Sequence, residues 1–327
     1  MDTNLFYKKN FNFKKIPKEK KILILGCSGF ISLNLLECLL QNNEVNKNQY
    51  YGVDIVSPGI KNKNFFFKKV DLYQLKSKIF NKIKFDYIIN IAGIPSPVFY
   101  KKKPLETIYL NFDLSRIFLK RAARDDAKFI FFSSSEIYGN PDAKHIPTKE
   151  SYPGIVSTIS DRATYDESKR LGETITMVYR DYFNVDCKII RPFNFYGPKM
   201  RMNDGRIIPK FVELAKKNKN LTVYDDGKQT RTYCHIWDAV IMIVNVIFLG
   251  KKFIYNIGND KGEISAKNLA IKIKKIYGNK SNVVLKKYPN GYPSAEPRRR
   301  KPNIENFKSE FNYRPKINLF KGLKNIA

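Results

Sequence analysis

One short stretch constrains the fold of this chain more than any other. Lys21-Ile22-Leu23-Ile24-Leu25-Gly26 is an apolar run closed by glycine, the pattern of a buried strand. Directly after it, 28–41 carries apolar residues at helical spacing: Ile31, Leu35, Leu36, Leu39 and Leu40. A buried strand that passes through a tight glycine turn into a helix is the first half of a βαβ unit. Further strands are expected at 51–56, 65–70, 86–92, 128–134 and 186–190, and helices over 104–126 and 162–183. Strands alternating with helices imply an α/β fold, a Rossmann-like doubly wound parallel sheet. Past Arg191 the elements shorten and Pro and Gly become more frequent, so a smaller C-terminal α/β substrate-binding lobe is expected there. The expected division is 1–192 for the nucleotide-binding domain and 193–327 mainly for the lobe. Within it, 1–20 is an N-terminal extension covering the sheet edge, and 234–258, with 253–257 as a strand, returns to the first domain.

Gly26-Cys27-Ser28-Gly29-Phe30-Ile31-Ser32 lies where a dinucleotide fingerprint must lie, between the first strand and the first helix. Gly26 permits the tight turn. Gly29 lets the backbone approach a pyrophosphate at the helix N-terminus. Ser32 stands where the fingerprint has its third glycine, a small residue at a helix-packing position. Asp54 ends the second strand, where a carboxylate accepts hydrogen bonds from the adenosine ribose and repels a 2'-phosphate. Ile55 and Val56 follow it instead of an arginine, so NAD is expected over NADP.

Tyr165 and Lys169 are spaced i, i+4, which on a helix places both on one face. A free phenol titrates near pH 10, too high for a base at neutrality. A nearby ammonium favours the phenolate, so Lys169 is expected to lower the Tyr165 pKa and make the pair a proton-transfer device.

Composition narrows the alternatives. The formal net charge is +30, but the lysines are spread along the chain, with no arginine-rich arm or zinc finger, so no nucleic-acid partner is expected. Four scattered cysteines and two histidines argue against a disulfide framework, a metal site or a histidine-based triad. No apolar run reaches the roughly 18 residues of a membrane span, and 1–20 lacks a signal-peptide core. A cytoplasmic protein without a membrane partner is expected.

In order along the chain, the glycine loop at 26–32, Asp54, Ser133-Ser134-Ser135-Glu136-Ile137-Tyr138-Gly139, Tyr165 with Lys169, and Arg191-Pro192-Phe193-Asn194-Phe195-Tyr196-Gly197-Pro198 resemble the extended short-chain dehydrogenase/reductases that act on nucleotide-sugars. Pro95 to Tyr100, the stretch 154–170, Asn203 to Arg206, Gly227 to Arg231 and Pro297 to Pro302 resemble its UDP-glucuronate decarboxylase branch. The resemblance implies NAD-dependent oxidation at sugar C4, loss of the C6 carboxylate as carbon dioxide, and often return of hydride to C4. It also implies a homodimer, in which the helices at 104–126 and 162–183 pair with their symmetry mates.

The same resemblance assigns roles. Tyr165 takes the C4 hydroxyl proton, Lys169 holds the nicotinamide ribose, and Ser134 bonds the C4 oxygen. Ser135, Glu136 and Arg231 surround the C5–C6 end, where Arg231 holds the carboxylate or helps deliver a proton, and Tyr100 contacts the carboxylate. Asn194 and Arg300 hold the diphosphate with help from Arg206, and Tyr224 lies near the base. With Tyr165 and Lys169, the cofactor set is Gly26, Gly29, Phe30, Ile31, Asp54, Asp71, Leu72, Ala92 and Asn111. A sugar-nucleotide dehydratase (GDP-linked substrates included), a 4-epimerase and a 4-dehydrogenase remain alternatives. From another class, so does a non-catalytic dinucleotide sensor or RNA-binding protein, because fold alone does not settle function.

Overall fold

The computed structural model describes residues 2–73, 75, 79–202, 205–277, 280–289 and 297–326. Helix α1 (Thr3–Asn10) precedes β1 (Lys21–Leu25), α2 (Phe30–Gln41), β2 (Gln49–Asp54), β3 (Phe65–Lys69) and β4 (Tyr87–Asn90). Then come α3 (Pro97–Lys102), α4 (Pro104–Asn111), α5 (Asp113–Asp125), β5 (Lys128–Phe132), α6 (Ala163–Phe183) and β6 (Cys187–Pro192). The second half adds β7 (Phe195–Tyr196), α7 (Ile207–Lys216), β8 (Leu221–Tyr224), β9 (Thr230–Arg231), β10 (Cys234–His235), α8 (Ile236–Leu249) and β11 (Ile254–Ile257). Last are β12 (Ile264–Ser265), α9 (Ala266–Tyr277), β13 (Val283–Lys286), β14 (Arg299–Arg300), α10 (Glu305–Lys308) and α11 (Leu319–Leu323).

Seven parallel strands form the main sheet in the order β11-β6-β5-β4-β1-β2-β3. The order reverses between β1 and β4, and ligands of such sheets bind beyond the carboxyl ends of the strands at that switch. Residues 22–25 of β1 have no exposed surface, as a parallel strand covered on both faces must. Alternation divides them: Ile22 and Ile24 face the core under α2 and α8, Leu23 and Leu25 the core under α5 and α6. Helix α8 is apolar apart from Asp238 and Asn245, and 236–248 are all buried.

Two expectations are corrected. The helix read over 104–126 is two helices that break at Phe112 (φ −106°, ψ −65°). At the break Asn111 turns inward and donates to Ser168 Oγ at 2.8 Å. The N-terminal extension does not cover a sheet edge. Its Phe6 ring meets Trp237 of α8 at 5.7 Å, and Tyr7, Phe11, Phe13 and Ile16 join the core beneath α2 and α8. Strand ends also move: β2 stops at Asp54, leaving Ile55 and Val56 exposed, and β6 runs on to Pro192.

Beyond β6 the short pairs β7/β10 and β8/β13 and the three-stranded β12-β9-β14 build a second layer with α7 and α9. Its core includes Phe211, Val212, Leu221, Val223, Leu269 and Ile273, and the Phe30 ring packs against both this core and that of the main sheet. The chain crosses between the two layers repeatedly, since α8 and β11 belong to the main sheet while α9 and β13 do not. No helix among the described residues is long and apolar enough to cross a membrane.

Candidate active site

The glycine turn sits at the switch point. Gly26 has φ +80°, and a Cβ there would lie 2.7 Å from Ala92 Cα just past β4, so only glycine lets the two strand ends approach this closely. Ser32 is not idle in the third fingerprint position: its hydroxyl donates to Gly26 O at 2.7 Å and ties the first turn of α2 back to the loop. Gly29 is the N-cap of α2 and offers no side-chain cap, so the first-turn N–H groups are left for an anion. Ile31 follows Phe30 in that first turn. Asp54 Oδ2 accepts the Ser28 N–H at 2.9 Å, which sets the acid beside the loop. These features fit a dinucleotide.

The remaining cofactor candidates divide. Ala92 lies against Gly26. Asn111 Oδ1 is buried with no hydrogen-bond partner, and a Cβ on Gly93 would meet it at 3.5 Å and Lys169 Nζ at 3.7 Å, so three groups converge there. Asp71 is exposed and caps the Tyr73 N–H at 3.0 Å, whereas the Leu72 side chain is packed into the core.

Tyr165 and Lys169 lie in the first turns of α6, both buried. The Ser134 hydroxyl, at the end of β5, accepts the Glu136 N–H at 3.2 Å and lies close enough to the Tyr165 phenol to pull its pKa down. Ser135 is buried in the one-turn 3-10 segment Ser135–Tyr138. Tyr100 of α3 lies flat on Tyr165, and its hydroxyl is buried without a partner.

The electrostatics correct one expectation. Burial pushes the Tyr165 phenol above its ordinary range, against the pull of Ser134 and Arg206. Lys169 does not offset this. Its Nζ donates to Phe132 O at 2.6 Å and lies 5.9 Å from the Tyr165 ring centre, and burial lowers its own pKa to about 7. Reading the i, i+4 pair alone neglects the desolvation that a shared pocket imposes on both groups.

A cleft of about 350 Å³ opens beside Tyr165, lined among others by Tyr100, Glu136, Arg162, Asn194, Arg206, Tyr224, Arg231 and Arg300. Arg231 of β9 and Arg300 of β14 are register partners, which brings two remote segments side by side. Arg300 grips Glu136 with two hydrogen bonds, at 2.5 and 2.6 Å, and Arg162 bonds the same carboxylate. Burial opposes the Glu136 charge, yet Arg300, Arg162 and Arg231 hold its carboxyl well below the usual range. Asp166 goes the other way: burial and then the Glu136 charge push it up against the pull of Arg162. Arg300 therefore meets Glu136 at the Tyr165 end of the cleft.

The other substrate candidates line the same cleft. Asn194 (φ 46°) donates to Thr232 O at 3.0 Å, Arg206 stands just before α7 with its guanidinium 5.7 Å from the Phe30 ring centre, and the Tyr224 ring lies 5.3 Å from that of Tyr288. Asn203 and Asp204, part of a motif quoted above, lie outside the described residues.

Behind the cleft runs a buried polar network. The Tyr138 hydroxyl donates to Asn256 Oδ1 at 2.7 Å and accepts from Arg191 at 2.6 Å, while Arg191 pairs with Glu173 of α6. Asn256 donates to Thr148 O and Asn303 O, fixing the segment that follows Arg300. Sequence reasoning missed this network, and missed Arg162 and Asp166. Their i, i+4 charge spacing was visible, but the Glu136 partner was not.

The NAD dependent epimerase/dehydratase family matches residues 22–258. UDP-glucuronic acid decarboxylase 1 of Arabidopsis thaliana is 34% identical over 313 residues, covering 95% of this chain and 69% of the relative. UDP-glucuronic acid decarboxylase 6 of the same plant is 33% identical, covering 95% and 89%. Among solved structures, the UDP-glucose 4-epimerase of Thermotoga maritima superposes with a TM-score of 0.81 at 23% identity, covering 93% of this chain and 96% of that one, a likeness of fold. The UDP-glucuronic acid 4-epimerase of Bacillus cereus, in complex with UDP-glucuronic acid and NAD, gives 0.79 at 25% identity, covering 93% and 97%.

Proposed function

This chain belongs to the NAD dependent epimerase/dehydratase family, as an NAD-dependent enzyme that modifies nucleotide-sugars, and we propose that its reaction is the decarboxylation of UDP-glucuronate to a UDP-pentose. The observation that carries this reading is the convergence of Arg162, Arg231 and Arg300 on the Tyr165 end of the cleft. C6 is two bonds from C4, so a sugar with its C4 hydroxyl at Tyr165 sets its C6 group among these arginines. Guanidinium is the fitting partner for a carboxylate. The similarity to plant UDP-glucuronic acid decarboxylases supports the same substrate.

The glycine turn, Asp54, Ala92, Asn111 and Lys169 are proposed to hold NAD, which supplies the oxidant for C4 and the hydride that can return there. Ser134 positions the C4 oxygen, and Tyr165 accepts its proton. Positive charge brought beside Tyr165 lowers the raised phenol pKa toward that task. The C4 ketone is β to the C6 carboxylate and receives the electrons released as carbon dioxide leaves. A proton must then reach C5. Glu136, held as a carboxylate, is a poor donor, so its part is to orient Arg162 and Arg300. Asn194 and Arg206 are proposed for the diphosphate and Tyr224 for the base. Arg300, expected at the diphosphate, is proposed at the sugar instead, because Glu136 fixes it there.

The test is mass spectrometry of the nucleotide product after incubation with NAD and UDP-glucuronate. Loss of carbon dioxide is expected. An unchanged mass with UDP-glucuronate, joined by loss of water from a hexose substrate, would replace the decarboxylase by a dehydratase.

A homodimer is also proposed. Leu105 (69% exposed), Ile108, Ile117 and Leu171 (43%) leave an apolar face on α4, α5 and α6 suited to a second copy.

A further inference from the structure

The three arginines that act on Glu136 do not come from one place. Arg231 and Arg300 belong to the second layer, on neighbouring strands. Arg162 belongs to the first, as the residue before α6. It bonds Glu136 and lies 3.6 Å from Asp166, so it stands between two carboxylates. The side chains of Arg162, Asp166 and Arg300 are 7%, 6% and 7% exposed, so little water screens them.

Arg162, Arg231 and Arg300 all act on Glu136, and a sugar carboxylate entering beside it would share guanidinium groups with it. Without Arg162, Glu136 would lean more heavily on Arg300, and an incoming carboxylate would compete with it for that guanidinium. An unpaired buried carboxylate is costly, and like charges in one pocket oppose each other. A sugar with a neutral C6 hydroxymethyl group makes no such demand. Asp166 is pushed toward its neutral form by burial and by Glu136, which leaves the Arg162 charge mainly to Glu136.

We propose that Arg162 is a specificity-determining residue that keeps Glu136 paired while Arg231 and Arg300 take the substrate's carboxylate, so that the cleft selects an acidic sugar over its neutral counterpart. This rests on the decarboxylase reading of the same cleft, and the two are separable by experiment.

The experiment compares dissociation constants of UDP-glucuronate and UDP-glucose for the NAD-loaded protein, its R162Q and R162K variants and D166N. R162Q is expected to weaken UDP-glucuronate about tenfold or more beyond any effect on UDP-glucose, the loss expected for an uncompensated buried charge. R162K keeps the charge and is expected to restore most of the ratio. D166N removes a competing carboxylate and is expected to hold or raise it. Equal weakening of both ligands in R162Q would make Arg162 merely structural and overturn the proposal. Should R162Q fail to fold, a fall in the ratio on D166N would overturn it instead. Decarboxylation by the wild type with an unchanged ratio in R162Q would sink this inference alone. An Arg162-dependent preference for UDP-glucuronate without decarboxylation would sink the reaction and leave the selectivity standing.

Discussion

The ring of Tyr100 lies parallel to that of Tyr165, centroids 5.4 Å apart and planes 14° from each other. The stack closes one side of the proposed proton-transfer site and adds to the desolvation that raises the Tyr165 phenol. Substitution Y165F should therefore remove turnover by a factor of about 10² to 10⁴ while NAD binding persists. Y100F keeps the stack and should act mainly through lost contact to the sugar, raising KM more than it lowers kcat. Steady-state kinetics with a cofactor-binding titration checks both, and substantial turnover in Y165F would reject the assigned base.

The carboxylate of Asp54, proposed to bond the ribose, also accepts the Ser28 N–H. D54A should weaken NAD about tenfold or more, because a charge-assisted hydrogen bond is lost along with the ribose contact. It should also narrow the preference for NAD over NADP. Fluorescence titration with both cofactors measures this, and an unchanged preference would remove Asp54 from the ribose site.

His235 is buried, its Nδ1 accepting the Trp237 N–H at 3.3 Å, and burial lowers its pKa from 6.5 to about 4. The folded chain then binds fewer protons than the unfolded chain between those values. Its stabilising effect is present above about pH 6.5 and is lost as pH falls toward 4, by on the order of 3 kcal/mol. Asp166, with its pKa raised, acts in the opposite sense, losing stability as pH rises. H235N can keep the acceptor for Trp237 without a titrating ring. Melting temperature against pH should fall less steeply below pH 6.5 in H235N; a slope identical to wild type would place the acid sensitivity elsewhere.

The exposed face of α4, α5 and α6 should be covered by a second copy. The pair L105E and L171E should shift the protein from dimer to monomer in sedimentation. A wild-type monomer at micromolar concentration would remove the proposed interface.

Legibility followed sequence distance. The turn at Gly26, the helix after it and Asp54 were readable because the residues that make that site lie within one βαβ unit. Helix 104–126 was misread at its middle, because the break at Phe112 answers to Asn111 reaching Ser168, a tertiary bond. Tyr165 and Lys169 were found by spacing, but their proton affinities depend on burial contributed by α3 and β5. The grouping of Glu136, Arg162 and Arg300 needs three distant segments to meet, and no local pattern announces it. The extension at 1–20 carried aromatic residues without a period that pointed to α2 and α8.

The repeated crossing of the chain between its two layers has a bearing on how such a protein can be divided. Strand β11 closes the flank of β6, and α8 fills the underside of the sheet, yet both come after residue 193. A fragment ending at 192 would present a bare sheet margin and an uncovered apolar floor. The second layer is threaded through the main sheet, like a lacing and not like a bead on a string. Its loops can lengthen or change sequence, but it cannot be detached and exchanged whole.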